Sequence, residues 1–258
     1  MSNTPIFAEE RQNKILSLLR IKNKILVNDL CEEFGVSSAT IRNDLNQLEK
    51  SGLLRRTHGG AIPSTKIMEE LTSSQKDKTN FDQKKRLAEY AEGFIENGDT
   101  IALDTGTTTY ALACALANKK NLTVITADIR IAALLEEFSG VSVVLAGGEL
   151  RKGFSCTTGS ITNKTLSSLK VDKIFLATNT VDSDGILFTP DIEQAYVKQT
   201  LISMGKEIFL LCDSSKFGRQ SFSRFGSISD IDYIITDTGF DPDILKDLDM
   251  NEITVITV

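Results

Sequence analysis

The chain has 258 residues, 41% of them apolar and 25% charged, with a formal net charge of −6. That length accommodates two domains, and the composition excludes wholesale disorder and a chain that is basic throughout. Four scattered cysteines and a single histidine, His58, exclude a paired-cysteine zinc site and leave little room for a histidine-based catalytic triad.

Charge is unevenly spread along the chain. Residues 1–62 hold nine Lys/Arg against seven Asp/Glu, a balance of +2, and the remainder holds twenty against twenty-eight, a balance of −8. An acidic body repels a phosphate backbone, so nucleic-acid contact is expected only in the N-terminal segment. Apolar runs such as Ile208 to Cys212 are too short to span a membrane. Residues 1–20 are charged and helix-patterned rather than signal-like, so the expected setting is the reducing cytosol.

Taken in order, Glu9 to Arg20 reads as a first helix with Ile15, Leu16 and Leu19 inward. Ile25-Leu26-Val27 reads equally as a short strand or as the lead into a second helix. Val27, Leu30, Cys31 and Phe34 then repeat at the i, i+3, i+4, i+7 spacing of an amphipathic helix. Gly35 stands where a left-handed helix stop is expected, and Ser37 or Ser38 can cap the next helix. On that third helix Ile41, Leu45 and Leu48 share one side, with Asp44 near them. Ala39, Asn43, Asn46 and Lys50 share the other, flanked by Thr40, Arg42 and Gln47.

Such a face can enter a major groove, where Arg reads guanine and Asn reads adenine. Taken alone, the helix is an ordinary amphipathic one with a solvated face. Its context changes that reading. Helix, glycine turn and capped helix form the helix-turn-helix order, and Leu53 to Ala61 reads as a basic strand running into a glycine turn, the pattern of a wing. Residues 1–62 are therefore expected to be a winged helix-turn-helix domain. Its DNA-contacting candidates are Ser37, Ser38, Thr40, Arg42, Asn43, Asn46, Arg55, Arg56, His58 and Gly59.

Residues 63–81 are poor in apolar side chains and read as a linker. From residue 82 to residue 258 seven short apolar runs alternate with helix-patterned segments: Ile101–Leu103, Leu122–Thr126, Val141–Leu145, Ile174–Ala177, Ile208–Cys212, Tyr233–Thr236 and Ile253–Val258. This alternation predicts a doubly wound, mostly parallel α/β domain. Ligands bind such sheets at the carboxyl ends of their strands. Asp104-Thr-Gly-Thr-Thr-Thr109 follows one strand: Gly106 permits a tight turn, and Thr107, Thr108 and Thr109 open a helix whose hydroxyls and amides can hold a phosphate. Asp104 would repel that phosphate and suits ligand hydroxyls better. A plain threonine-capped turn explains the loop about as well. Gly147 and Gly148 allow close backbone approach or mark a simple turn, and Arg151 faces either an anion or solvent. Asp213 and Lys216 at another strand end suit a sugar and a phosphate, or form a surface ion pair. Glu193, near a helix start, is a weaker candidate.

Val36-Ser-x-x-Thr-Ile-Arg-x-Asp-Leu, then Leu48-Glu-x-x-Gly-x-Leu-x-Arg-x-His-Gly-Gly-Ala61, resembles the DeoR family of bacterial transcriptional regulators. The resemblance continues through Asp104-x-Gly-Thr-Thr, Leu145-Ala-Gly-Gly, Asp213-Ser-Ser-Lys-Phe-Gly and Ile234-Ile-Thr-Asp237. It implies a repressor of a sugar or sugar-derivative operon, with a sensor domain similar to ribose-5-phosphate isomerase that takes a phosphorylated metabolite. It also implies double-stranded operator DNA as partner and assembly as a dimer or tetramer, with no cofactor, no metal and no catalytic residues. By the resemblance the effector pocket involves Asp104, Gly106, Thr107, Thr108, Gly147, Gly148, Glu193 and Lys216. The chain departs from the family at Asn43, where a second basic residue is common, at Thr126-Ala127-Asp128, and within Thr178 to Asp182. The rival reading is a sugar-phosphate isomerase using Asp182, Asp184, Glu193 and Lys216 as acid–base groups.

Overall fold

The computed structural model describes residues 7–22, 24–50, 53–63, 70–245 and 252–258. The chain divides into two compact units, Met1–Leu71 and Thr72–Val258. Residues 64–69 of the expected linker lie outside the described residues.

The first unit runs α1 (Ala8–Lys22), β1 (Ile25–Leu26), α2 (Val27–Phe34), α3 (Ser38–Lys50), β2 (Leu54–Thr57) and β3 (Gly60–Pro63). Gly35 ends α2 in the left-handed region at φ 62, a conformation that costs a side-chain-bearing residue more than glycine. Ser37 then caps α3, its hydroxyl accepting the Thr40 amide at 3.2 Å. The ambiguous Ile25-Leu26-Val27 resolves into a two-residue strand followed by the first residue of α2. That strand pairs antiparallel with β3, giving a β1-β3-β2 sheet with the His58-Gly59 turn at its tip.

Ile15, Leu30, Ile41, Leu45, Leu48 and Leu54 belong to the core of this unit. Asp44 joins their side of α3: Arg11 grips it through two bonds, Nε to Oδ2 at 2.6 Å and Nη2 to Oδ1 at 3.2 Å. Gln12 adds a third bond at 3.1 Å. The arrangement fixes α3 about its own axis against α1.

The second unit opens with α4 (Ser73–Lys76) and α5 (Phe81–Glu92), followed by β4 (Thr100–Leu103), α6 (Thr107–Ala115), β5 (Leu122–Thr126), α7 (Ile129–Leu135) and β6 (Val141–Leu145). A hairpin, β7 (Glu149–Arg151) with β8 (Cys156–Thr158), leads to α8 (Ser160–Ser167) and β9 (Val171–Ala177). Then come β10 (Thr180–Val181), β11 (Ile186–Thr189), α9 (Ile192–Met204), β12 (Gly205–Leu211), β13 (Ser223–Ser227), β14 (Tyr233–Thr236) and β15 (Thr254–Thr257).

Seven of the described strands form one parallel sheet in the order β15-β14-β12-β9-β4-β5-β6. Each predicted apolar run is one of these strands. Alternation along them divides the core in two. Phe175, Phe209 and Tyr233 are register partners on one face and stack at 4.8 and 4.5 Å, in the layer covered by α5, α6 and α7. Ile174, Leu176 and Leu210 face the other way, toward α8 and α9. The chain winds outward from β4 through β5 to β6, then returns to place β9 on the other side of β4. The order therefore reverses between β4 and β9, the kind of switch point at which open parallel sheets take their ligands.

The small antiparallel sheet β10-β11-β13 was not anticipated by the sequence pattern. Residues 72–80, within the expected linker, pack on the sensor unit: the Ser73 amide donates to the Gly153 carbonyl at 3.1 Å.

Replacing Asp44 with Ala would remove the carboxylate that meets the Arg11 guanidinium through two bonds in a nearly dry site. We expect the N-terminal unit to lose about 3–5 kcal/mol, the usual cost of removing one partner from a buried ion pair. Urea unfolding followed by helix signal measures this, and parental stability in the variant would show that the pair does not hold α3.

Candidate functional site

The surface of α3 separates cleanly. Ile41, Asp44, Leu45 and Leu48 are buried, while Ser38, Ala39, Arg42, Asn43, Asn46, Gln47 and Lys50 are exposed, with Ser37 exposed just before the helix and Thr40 half-buried. Among the described residues the Arg42 and Asn43 side chains make no hydrogen bond, so their donors and acceptors are available to a base edge. Asn46 is different: its Oδ1 accepts a bond from Arg56 Nη1 at 2.6 Å. The Arg56 amide meanwhile donates to Glu49 at 2.7 Å, so this wing arginine lies back on the helix. Arg55, His58 and Gly59 are the exposed part of the wing. Ser37 is engaged in capping, which fixes where the helix begins.

At the β4–β9 switch point the central residue is Asp104, 1% exposed. Its Oδ2 accepts the Ala177 amide at 3.0 Å and the ammonium of Lys198, which is 3% exposed and also donates to the Ala177 carbonyl at 2.8 Å. The other oxygen, Oδ1, has no hydrogen-bond partner among the described residues. The following turn carries Thr105, Gly106 and the start of α6. Thr109 closes it from inside, its hydroxyl donating to the Gly106 carbonyl at 3.0 Å. Thr107 is half-buried and Thr108 buried at the head of that helix.

Beside this turn, Asp128 follows β5 and caps α7, its Oδ1 accepting the amides of Arg130 at 2.8 Å and Ile131 at 3.2 Å. Its Oδ2 is buried with no partner among the described residues. Burial raises the Asp128 pKa, against the opposing pull of backbone amides and Arg130.

Helix α9 turns Gln194 and Lys198 inward. Gln194 Nε2 donates to the Thr105 hydroxyl at 2.8 Å, and Cys156 Sγ donates to Gln194 Oε1 at 3.5 Å. Burial first, opposed by Arg151, pushes the Cys156 thiol up to about 11, which keeps it protonated near neutrality. Glu193, one residue before Gln194, is exposed on the outer side of the helix, so α9 contributes its amide and ammonium rather than this acid.

The paired glycines have separate roles. A Cβ on Gly148 would lie 2.0 Å from Thr162 Oγ1 and 2.7 Å from the Thr158 carbonyl, so its glycine is demanded by packing against α8. Gly147 is exposed and has open space there. Arg151 is drawn sideways, its Nε 3.2 Å from Asp191 and its guanidinium 3.8 Å from the Phe154 ring centre.

Asp213 is buried and serves its own loop, with Oδ1 accepting the Ser215 amide and hydroxyl and the Asn80 side chain at 2.9 Å. Lys216 in that loop is half-buried, and beside it lies a residue that sequence reasoning missed, Lys84 of α5. The Lys84 ammonium donates to the carbonyls of Lys76 at 2.6 Å and Thr79 at 2.7 Å. Burial, then the charge of Lys216, lower its pKa from 10.5 to about 8. Asp213 and Asp77 pull the other way, but Lys84, Lys216 and Lys76 outnumber these two carboxylates, and the excess positive charge favours an anion.

Between about pH 8 and 10.5 the unfolded chain holds a proton at Lys84 that the folded chain releases, so this group makes stability rise with pH. Below about pH 8 its full penalty is present. The melting temperature of the parent relative to Lys84→Met is therefore expected to climb across that window. Calorimetry at several pH values measures it, and a constant difference would contradict the assigned environment.

Residues 11–66 match the model of the DeoR-like helix-turn-helix domain, and residues 79–238 match that of the DeoR C terminal sensor domain. The chain is 33% identical over 247 residues to the HTH-type transcriptional regulator GlpR of Haloferax volcanii, covering 96% of each chain. It is 35% identical over 229 residues to the glycerol-3-phosphate regulon repressor of Escherichia coli, covering 88% of this chain and 90% of that relative. Among solved structures, ribose 5-phosphate isomerase A of Methanocaldococcus jannaschii is similar with a TM-score of 0.40 and 18% identity, over 54% of this chain and 55% of that one. That likeness is too distant to bear on activity. Both domain models match in order and the relatives align along nearly the whole chain: the protein belongs to the DeoR family of transcriptional regulators.

Proposed function

We propose that the protein is a sequence-specific repressor of a sugar or sugar-derivative operon, acting in the cytoplasm and released from its operator by a phosphorylated sugar or related metabolite. The observation that carries this reading is the exposed, unbonded Arg42–Asn43 face on a helix whose opposite face is locked by Asp44. A helix held so firmly on one side and left free on the other is built to present donors. Arg42 and Asn43 read bases, Arg55 and the His58-Gly59 tip hold the backbone, and a dimer or tetramer brings two such helices to paired half-sites.

In the sensor unit, Asp104 and Asp128 offer buried acceptors to metabolite hydroxyls. Lys216, Lys84 and the head of α6 receive the phosphate. The name of the Escherichia coli relative, a glycerol-3-phosphate regulon repressor, supports a phosphorylated effector. Release then reflects a coupling free energy between the two sites.

The isomerase reading lacks comparable support. Asp182 Oδ1 is occupied by the amides of Asp184 and Ile186 and Oδ2 by Gln220, while Asp184 and Glu193 are exposed. Incubation with ribose 5-phosphate should yield no ribulose 5-phosphate, and turnover abolished by Lys216→Ala would overturn the sensor reading.

Arg42→Ala is expected to cost about 1–3 kcal/mol on the cognate operator and far less on random DNA. Electrophoretic shift on the chain's own promoter measures both, and equal losses would make Arg42 a backbone contact. Arg55→Ala should instead weaken all sequences alike and reduce the salt slope by about 1. A sugar-phosphate panel should contain at least one compound that raises the melting temperature of the parent and not of Lys216→Ala. A panel without such a compound would leave DNA binding constitutive.

A further inference from the structure

Residues 72–80, which link α5 back toward the first unit in sequence, are held by groups from three loops at the carboxyl end of the sheet. At one end the Ser73 amide and hydroxyl bond the carbonyls of Gly153 at 3.1 Å and Phe154 at 3.2 Å, in the turn between β7 and β8. In the middle Asp77 meets Arg130 Nη1 at 2.9 Å, at the start of α7. At the other end Asn80 bonds Asp213, and the Lys84 ammonium gathers the carbonyls of Lys76 and Thr79. A segment without regular structure beyond one helical turn is thus fastened at points that belong to, or adjoin, the proposed effector site.

We propose that residues 72–80 form a strap whose hold on the sensor unit is set by an anion at Lys84 and Lys216, with the Lys84 ammonium as the joint. This rests on the reading above that these two lysines receive the effector's phosphate. An ammonium has three donors. Two are engaged by the strap carbonyls, and the third meets no hydrogen-bond partner among the described residues, so an anion can take it with neither bond surrendered. A neutral amine has only two donors and turns a lone pair toward its surroundings. An anion therefore keeps Lys84 charged, completes its bonding, and strengthens both bonds to the strap. In sequence the strap is the part of the sensor unit nearest the first unit.

Hydrogen exchange of the full-length protein, with inorganic phosphate as the probe and potassium chloride at matched ionic strength as reference, tests this. Phosphate is expected to raise the melting temperature and to slow exchange of the strap by about tenfold, the effect of roughly one added charge-assisted hydrogen bond. In Lys84→Met the strap should exchange faster and phosphate should no longer slow it, while a smaller rise in melting temperature persists through Lys216. Should Lys84→Met fail to fold, Asp77→Asn serves: it frees the middle of the strap and should retain the phosphate protection. Loss of protection in Asp77→Asn would place the hold at Arg130 and overturn the role of Lys84. A higher melting temperature with unchanged strap exchange would overturn the strap and leave the anion site standing. No rise and no protection would remove the anion site, and the strap with it.

Discussion

The sensor unit depends on the pairing of Asp104 with Lys198. Either charge alone would be strongly disfavoured in so dry a place, and together they are tolerable because each also meets the backbone of Ala177. That shared residue is the reason the pair matters. It ends β9, Asp104 directly follows β4, and Lys198 comes from α9, so one contact clamps three elements where the strand order reverses. With α9 held there, Gln194 reaches Thr105 and the turn leading into α6 is set. The ends of β4 and β9 are held together by this clamp.

The first unit solves its own problem in a parallel way. Arg11 and Asp44 form a buried two-bond pair that sets the rotation of α3, leaving hydrophobic contacts to supply most of the cohesion. Hydrophobic packing tolerates a helix turned by several degrees, whereas a forked guanidinium on a carboxylate does not. In both units an ion pair supplies orientation that apolar burial leaves loose. The elements so oriented are those to which the proposed function is assigned: α3 in one unit, the β4 turn and α9 in the other.

Much of this was legible in the sequence because it follows from periodicity. The seven apolar runs became the seven strands of the parallel sheet, the helix-glycine-helix order stood where Gly35 and Ser37 placed it, and Asp44 lay on the inner side of α3. Less of the sensor site could be read. Gln194 and Lys198 lie one helical turn apart among Ala195, Val197 and Leu201, and polar residues within an apolar stripe were the available signal. Glu193 drew attention as an acid near a helix start, yet a single step along a helix rotates a side chain by about 100°, and it points outward. Lys84 shares a stripe with Leu87 and Ala91. What makes it notable is Lys216, 132 positions further along the chain, which no local pattern brings near. The β10-β11-β13 sheet escaped notice for another reason: its strands are short and β13 has a single large apolar residue, Phe225.

The division of α3 into a locked side and an open side has a consequence for how such regulators diversify. Among the described residues Arg42 and Asn43 take no part in the internal bonding of their domain, so on the proposed reading exchanging them alters what the helix recognises without disturbing how it is held. Asn46 lacks that freedom, since Arg56 leans on it. After a gene duplication, two daughter proteins can therefore part company at positions 42 and 43 and acquire separate target sequences while sharing an unaltered scaffold. Position 43, where the family resemblance implies a second basic residue and this chain carries Asn, is on that reading a site at which such a parting leaves its mark.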